Sequence, residues 1–523
     1  MLGRGGATGS TGIRSVHMTG PNMLLFMTDQ HRVDTLPCYG NQVVRTPTLD
    51  ELAAHGTVFD RFHTPTAICT PARASLVTGQ APFRHKLLAN YERNVGYRED
   101  LDPDHVTFSR DLRDAGYNVG LAGKWHVGLH RTAADFGFDA LHMHGWHNPV
   151  DLPEYVQYLA ERGLPPYRLT DEIRGTFPNG SPGNLLAARL DQPVEATFEH
   201  FLADLAIDRL REYAADHHAT GRPFFLATMF FGPHLPYNIP AEYFDLYDPD
   251  RIELPPSIAE TFLGKPPVQR NYSAHWTFDT MDESVSRKLI AAYWGYVTMI
   301  DHEIGRIVAA ARELGVYDDS AVFFTADHGE FTGSHRLHDK GPAMYEDIYR
   351  VPGLARLPGG PAQRRGEFAD LLDLTATIRD LADVPAADGV VQDGVSLLPI
   401  LRGEHPAWRS EQIAEFHGHH FPYPQRMIVT DRYKLVVNPE SVNEFYDLQL
   451  DPWELTNRYD FPECRVQRDR HLALLYRRLR DRGDNFHHWM TSMYPVGDKD
   501  YDTSLGSFES HLDQPESTHE GHR

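Results

Sequence analysis

The run Ala67-Ile68-Cys69-Thr70-Pro71-Ala72-Arg73-Ala74-Ser75-Leu76-Val77-Thr78-Gly79 brings a sulfur nucleophile, a proline and a permanent cation close together. Pro71 suits the first turn of a helix, where its missing N–H would have been unpaired anyway. A residue just ahead of that turn faces free backbone N–H groups and the positive end of the helix dipole, which favours anionic chemistry. Arg73, one turn along on the same face, adds a fixed positive charge. A buried free cysteine beside a capped helix is the plain alternative for a lone Cys. Composition weighs against it. With 3 Cys and 37 Pro in 523 residues, Cys-x-Pro-x-Arg is expected by chance roughly 0.02 times.

Four further stretches carry reactive residues at the ends of short apolar runs that read as buried strands. Asn22 to Thr28 leads into Asp29-Gln30, and Asn118 to Ala122 into Gly123-Lys124-Trp125-His126. Phe224 to Phe231 leads into Gly232-Pro233-His234, and Ala321 to Thr325 leads to Asp327-His328-Gly329. Singly, each has a bland reading as a turn, a rigid loop or a surface charge. Their shared position at strand ends is what gives them weight.

The elements between them explain how they could meet. Leu289, Tyr293, Tyr296, Ile300, Ile304, Ile307, Ala311 and Leu314 recur at helical spacing from about Ser284 to Leu314, with Gly315 as a cap. Helices alternating with buried strands predict a mainly parallel sheet covered on both faces. Ligands of such sheets bind beyond the carboxyl ends of the strands, so all four clusters belong on one rim. Residues 411–448 alternate as an antiparallel sheet with a hairpin turn at Asp431-Arg432, and Leu472 to Arg482 reads as an Arg-rich packed helix. The expected fold is therefore α/β: a large, mainly parallel sheet sandwiched by helices, with a smaller C-terminal α+β domain. The boundaries drawn are a tail at 1–20, a catalytic domain at 21–395, the small domain at 396–500 and a polar, disordered tail at 501–523.

Asp29, Gln30, Asp327 and His328 offer mostly oxygen donors. Such a set suits Ca²⁺ or Mg²⁺, and the single imidazole leaves Mn²⁺ open. Tetrahedral zinc would want more His or Cys. Two His-rich stretches, His142-x-His144 with His147 and His417 with His419-His420, are read as specificity loops at a pocket mouth rather than as a second metal site.

The block from Ala67 to Gly79 resembles the first signature of the type I sulfatases of the alkaline phosphatase superfamily. Gly116 to His126 resembles the second, with Val119 where Ser or Thr is usual. Asp327-His328-Gly329 with Lys340, Glu346 and Arg350-Val351-Pro352 resembles a third conserved region. Phe445-Tyr446-Asp447-Leu448 with Asp451-Pro452, Glu454 and Asn457 resembles that family's small C-terminal domain. The likeness runs from about residue 21 to about residue 460.

That resemblance implies hydrolysis of a sulfate monoester to an alcohol and inorganic sulfate. It implies that a formylglycine-generating enzyme oxidises Cys69, and that hydrated formylglycine is the nucleophile. It implies one divalent cation, usually calcium, on Asp29, Gln30, Asp327, His328 and an oxygen at position 69. By the same analogy Asp327 accepts or orients the proton of the attacking hydroxyl. Lys124, Lys340 and His234 neutralise the sulfuryl oxygens, and either Lys340 or His234 protonates the leaving oxygen. His126 takes the proton of the second hydroxyl, and Arg73 steadies the nucleophile. Many members carry a second Asp at the place of Gln30, whereas phosphonate monoester hydrolases and choline sulfatases have Asp-Gln. Lys124 favours a sulfatase, because the phosphonate hydrolases have no lysine there.

Composition sets the outer limits. Hydrophobic content of 41% and charged content of 24% are ordinary for a globular protein. A formal charge of −23 disfavours nucleic acid and anionic membranes as partners. Three scattered cysteines make neither a disulfide framework nor a zinc ribbon. Residues 1–20 lack the apolar run of a secretion signal, no stretch approaches membrane-spanning length, and a cytoplasmic protein is expected, with Met18 as a candidate start. Sulfate esters of small molecules or sugars are the expected substrates; the leaving group and the oligomeric state are not legible. The rival readings are a phosphonate monoester or phosphodiester hydrolase on the same fold, and a binder of sulfated ligands whose Cys69 is never oxidised.

Overall fold

β1 (Asn22–Thr28) is buried at every position, as a central strand covered by helices on both faces must be. The computed structural model describes residues 20–141, 143, 149–387 and 389–495. The large sheet consists of β1, β2 (Thr57–His63), β3 (Asn118–Gly123), β4 (Asp139–Ala140), β7 (Phe224–Met229), β9 (Ser320–Ala326), β10 (Gly353–Arg356) and β11 (Gln363–Asp370). A three-stranded sheet holds β5 (Leu169–Thr176), β6 (Pro182–Leu190) and β8 (Tyr237–Pro240). The last sheet holds β12 (Glu411–His419), β13 (Phe421–Thr430), β14 (Tyr433–Val437) and β15 (Glu444–Asp447).

Strand order in the large sheet is β11-β2-β10-β9-β1-β7-β3-β4. β1 pairs in parallel with β7 and β9, and β3 with β7, while β10 runs antiparallel to both its neighbours. The expected mainly parallel sheet is thus present, with one reversed strand. Successive side chains of β1 go to opposite faces. Leu24 and Phe26 join the long helix Glu283–Glu313 through Leu289, Tyr293, Ile300 and Ile304. Met23, Leu25 and Met27 join Leu76, Val77 and Ile378 on the other face. The long helix starts where the Asp282 side chain accepts from Val285 N–H, and Gly315 follows its end with φ +68°.

The C-terminal sheet is antiparallel in the order β12-β13-β14-β15, with Asp431-Arg432 in the expected hairpin turn between β13 and β14. One face, with Ala414, Phe416, Met427, Val436 and Tyr446, belongs to the same apolar core as the large sheet. The other, with Ile428, Leu435, Val437 and Phe445, packs on the helix Arg465–Arg482. Lys434 is wholly buried and donates to Glu454 at 2.7 Å while lying 2.9 Å from Glu346. Two acids of the family-like motifs are therefore joints between the sheet and the loop after β9. Asn457 ties the same sheet to a different segment, accepting from Phe445 N–H and donating to the Gly264 carbonyl.

Among the described residues no helix is long and apolar enough to cross a membrane. The terminal tails drawn at 1–20 and 501–523 lie outside the described residues apart from Gly20, as do His142, His144 and His147.

Gly123 ends β3 immediately before Lys124, with φ +114°, and a Cβ there would lie 2.0 Å from the Met229 carbonyl oxygen. Substitution forces both a left-handed backbone on a residue with a side chain and a backbone clash. Gly123→Ala is expected to lower stability by about 2–3 kcal/mol. The shift in denaturant midpoint against wild type checks this; an unchanged midpoint would contradict the geometry.

Candidate active site

Residues of β1 and β9 pair through Thr28 and Ala326, so Asp29 and Asp327 leave adjacent strands side by side. Lys124 leaves β3 one strand beyond β7, and its N–H donates to the Met229 carbonyl at 2.7 Å. The strand ends thus bring Asp29, Lys124, His234 and Asp327 to one rim, as the parallel-sheet reading requires. Cys69 is the first residue of the helix Cys69–Thr78, not a residue ahead of it, and Pro71 is the third. Every residue of that helix is buried, and Asn90 Oδ1 accepts from Thr70 N–H at 2.9 Å.

Arg73 binds the rim together. Its Nε donates to Asp327 Oδ2 at 2.8 Å, Nη2 to Asp29 Oδ2 at 3.2 Å and Nη1 to the Lys124 carbonyl at 2.6 Å. Lys124 Nζ donates to the same Asp29 oxygen at 2.5 Å and lies 5.5 Å from the centre of the Phe231 ring. The other oxygen, Asp29 Oδ1, lies 3.9 Å from Cys69 Sγ and 3.8 Å from His328 Nε2. His328 Nδ1 donates to the Gly329 carbonyl at 2.8 Å, so Nε2 is the nitrogen turned to Cys69 Sγ, 3.2 Å away. Asp327 Oδ1 accepts the backbone N–H groups of Gln30 and His328.

Asp29, Asp327, His328 and Cys69 offer donor atoms within 4.8 Å of one another, all buried. Their electrostatics fit a divalent cation. Burial and then the neighbouring Asp29 push Asp327 upward. Against burial, Asp327 and Cys69 pull His328 up to about 9. Both shifts mark a cluster that draws in positive charge, which a cation relieves by displacing the His328 proton. A backbone carbonyl that fixes the far ring nitrogen is the usual support for a metal-ligating histidine.

Gln30 is at the rim but faces away from these four. Its amide nitrogen donates to Glu330, and its carbonyl oxygen accepts from Lys340 Nζ at 3.1 Å. Lys340 also meets Asp339 at 3.0 Å and donates to His234 Nε2 at 2.7 Å. His234 Nδ1 donates to the Leu235 carbonyl, which leaves Nε2 as the acceptor. Asp339 foremost, against burial, holds Lys340 well above its ordinary range.

Position 69 is built for negative charge. Burial alone would raise the thiol, yet Lys340, Lys124 and His328 together hold it well below the usual cysteine range. His126, with φ +50°, turns its side chain to Cys69, where the two hydrogen-bond. Burial and then Lys124 hold His126 down to about 4, so its imidazole is neutral near pH 7.

These groups open on a cavity of about 520 Å³ lined by Cys69, Lys124, His126, His234 and Lys340 together with aromatic residues, among them Tyr91, Tyr167, Phe198, Phe231, Trp276 and Tyr296. His419 and His420 line it too, as a pocket-mouth loop should, whereas His417 is turned to Glu415 at 2.6 Å. Sequence reasoning missed Glu330, Asp339, Glu199 and the aromatic wall. Glu330 and Asp339 were within reach, since each directly neighbours a residue of the quoted motifs. Glu199, whose oxygen accepts from Tyr296 and Gly232, sits in the first turn of a long helix and carries no pattern.

Arg73→Ala would leave two buried carboxylates without their guanidinium, a loss expected to cost about 3–5 kcal/mol. Arg73→Lys would not restore it, because one ammonium cannot span both acids and the Lys124 carbonyl. Denaturation midpoints of both variants, read with bound-metal content, check this; a fully stable Arg73→Ala protein would contradict it.

Similarity to known proteins agrees with this geometry. The sulfatase family model matches residues 21–384, and the model described as N-sulphoglucosamine sulphohydrolase, C-terminal, matches residues 333–479. The chain is 28% identical to an arylsulfatase of Clostridium perfringens, over 89% of this chain and 96% of that one. It is 28% identical to a choline-sulfatase of Rhizobium meliloti, over 84% and 83%. The solved structure of a phosphonate monoester hydrolase from Silicibacter pomeroyi superposes with a TM-score of 0.71 at 26% identity, over 90% of this chain and 97% of that one. A family match over well more than half the length, laid on these particular strand ends, makes this chain a member of the sulfatase family, a sulfatase of the alkaline phosphatase superfamily.

Proposed function

We propose that the protein hydrolyses sulfate monoesters to alcohol and inorganic sulfate, with residue 69, oxidised to formylglycine and hydrated, as the nucleophile. One observation carries this reading: the side chain at 69 lies against Asp29 and His328, in the field of Lys124 and Lys340, at the floor of an aromatic cavity. The Cys69 sulfur occupies the place that the hydrate's hydroxyls would take. Asp29, Asp327 and His328 would hold a divalent cation, calcium first, with Gln30 recruited if its carbonyl leaves Lys340. Such a cation supplies Lewis-acid polarisation of the ester oxygens and eases deprotonation of the attacking hydroxyl.

The chain's own residues do the rest. Lys124 and Lys340 are fixed by Asp29 and Asp339, so they meet developing charge on the sulfuryl oxygens without reorganising. Lys340 already donates to His234 Nε2, and this pair supplies the proton for the leaving oxygen. His126, neutral and hydrogen-bonded at position 69, takes the proton of the second hydroxyl, which releases sulfate and restores the aldehyde. Arg73 holds Asp29 and Asp327 in register around the nucleophile. Maturation needs a formylglycine-generating enzyme as a partner.

The Asp29-Gln30 pair and the likeness to a phosphonate monoester hydrolase support a second reading, in which a phosphonate monoester is cleaved on the same groups. Lys124 beside Asp29 supports the first. Rates on nitrophenyl sulfate and nitrophenyl phenylphosphonate, measured on protein matured by a formylglycine-generating enzyme, separate them. The sulfate should have the higher kcat/KM, and Lys124→Ala should lower it by roughly 10²-fold or more while hurting the phosphonate less. No sulfate turnover by matured protein would sink the reading.

A further inference from the structure

A second set of ligating side chains meets at the mouth of the cavity. Glu92 and His420 are 328 positions apart in the chain, yet the Glu92 carboxylate reaches the end of β12 and accepts from His420 N–H at 3.1 Å. Glu92 Oε1 lies 3.8 Å from His419 Nε2 and 3.6 Å from His420 Nδ1. The three side chains offer donor atoms within 4.8 Å of one another. We propose that Glu92, His419 and His420 form a second metal site, of the zinc type, distinct from the cluster at position 69.

Two of the three ligands are held in place by neighbours, and the third is free to turn. Glu92 Oε2 is pinned by the N–H groups of Asn90 and Tyr91, both at 3.1 Å, which aims the carboxylate at the histidines. His419 Nδ1 meets the Tyr272 hydroxyl at 3.0 Å, so Nε2 is the nitrogen left on the Glu92 side. Neighbouring residues of a strand point to opposite faces. Here His420 adopts φ +67° just past the end of β12, and its ring instead stacks on His419 with centroids 3.8 Å apart. A left-handed backbone is costly for a residue with a side chain, and its effect at this place is to bring two imidazoles to one carboxylate.

Two imidazoles and one carboxylate are the donor set of a zinc site with an open fourth position. The cluster at Asp29, Asp327 and His328 is oxygen-rich and suits a hard cation. Zinc bonds of 2.0–2.2 Å put donor atoms about 3.3–3.5 Å apart, so the observed 3.6 and 3.8 Å need to close by a few tenths, and the His420 ring must turn out of its stack on His419, 29° from parallel, so that both in-plane lone pairs reach one ion. His419 and His420 both line the cavity that holds Lys340 and residue 69. The open position therefore faces the cavity, where water or an oxygen donor on the substrate's leaving group would fill it. Sequence spacing alone gave a His-His pair; Glu92, far away in the chain, is what turns it into a ligand set.

Cobalt(II) is the probe, because four-coordinate nitrogen-rich sites give intense visible bands and octahedral oxygen-rich sites do not. The full chain, saturated with calcium to fill the first cluster, is titrated with Co²⁺. One equivalent should produce a strong visible band that Zn²⁺ abolishes. In His420→Ala, where the removed side chain is 43% exposed and folding is spared, the apparent Kd should rise by more than the roughly 10–100-fold that loss of an outer partner costs. Calcium content should be unchanged. No band in wild type, or a band of equal affinity in His420→Ala, would overturn the proposal. Cys69→Ser, titrated in parallel, should keep the band; its loss there would assign the cobalt to the first cluster and overturn the proposal.

Discussion

A single buried guanidinium holds this site in shape. Arg73 is 1% exposed and touches the ends of three strands at once: Asp29 after β1, Asp327 after β9 and the Lys124 carbonyl after β3. Two carboxylates so close in a dry interior repel each other, and desolvation adds to the cost. The positive charge that offsets both comes from a helix whose first residue is Cys69. Position 69 and the metal-type cluster are thus tied to the same side chain. Moving either would leave a buried ion unpaired.

The surrounding charges follow from that arrangement. The chain carries a net −23, yet Lys124, Lys340, Arg73 and His328 converge on one buried point. Each cation is held by its own acid or carbonyl, so the charges that face the pocket are fixed in place. Asp29 holds Lys124, Asp339 holds Lys340, and Lys340 in turn engages Gln30 and His234. Preorganised cations of this kind act on charge that develops during reaction rather than on the resting ester. Aromatic side chains line the cavity beyond them.

Much of this was legible from residue order because parallel sheets impose a rule: reactive groups gather where strands end. β1 matched its expected span, and β3, β7, β9 and the long helix matched to within two residues, since buried runs and helical spacing are strong signals. Other features left weaker traces. β10 is four residues long and reversed, too short for its pattern to speak. β5 is polar and half exposed, so the three-stranded sheet beside the cavity carried no apolar alternation. Gln30 was expected among the cation ligands, and its side chain instead meets Glu330 and Lys340; which way its carbonyl faces depends on a side-chain torsion that spacing does not encode. The pairing of Glu92 with His419 and His420 is wholly tertiary.

The most direct test of the account is the mass of the proteolytic peptide spanning Cys69, taken from protein that turns over a sulfate ester. Formylglycine at position 69 requires a peptide about 18 Da lighter than the thiol form, with turnover proportional to the modified fraction. Undiminished turnover from protein whose residue 69 is entirely unmodified cysteine would contradict it.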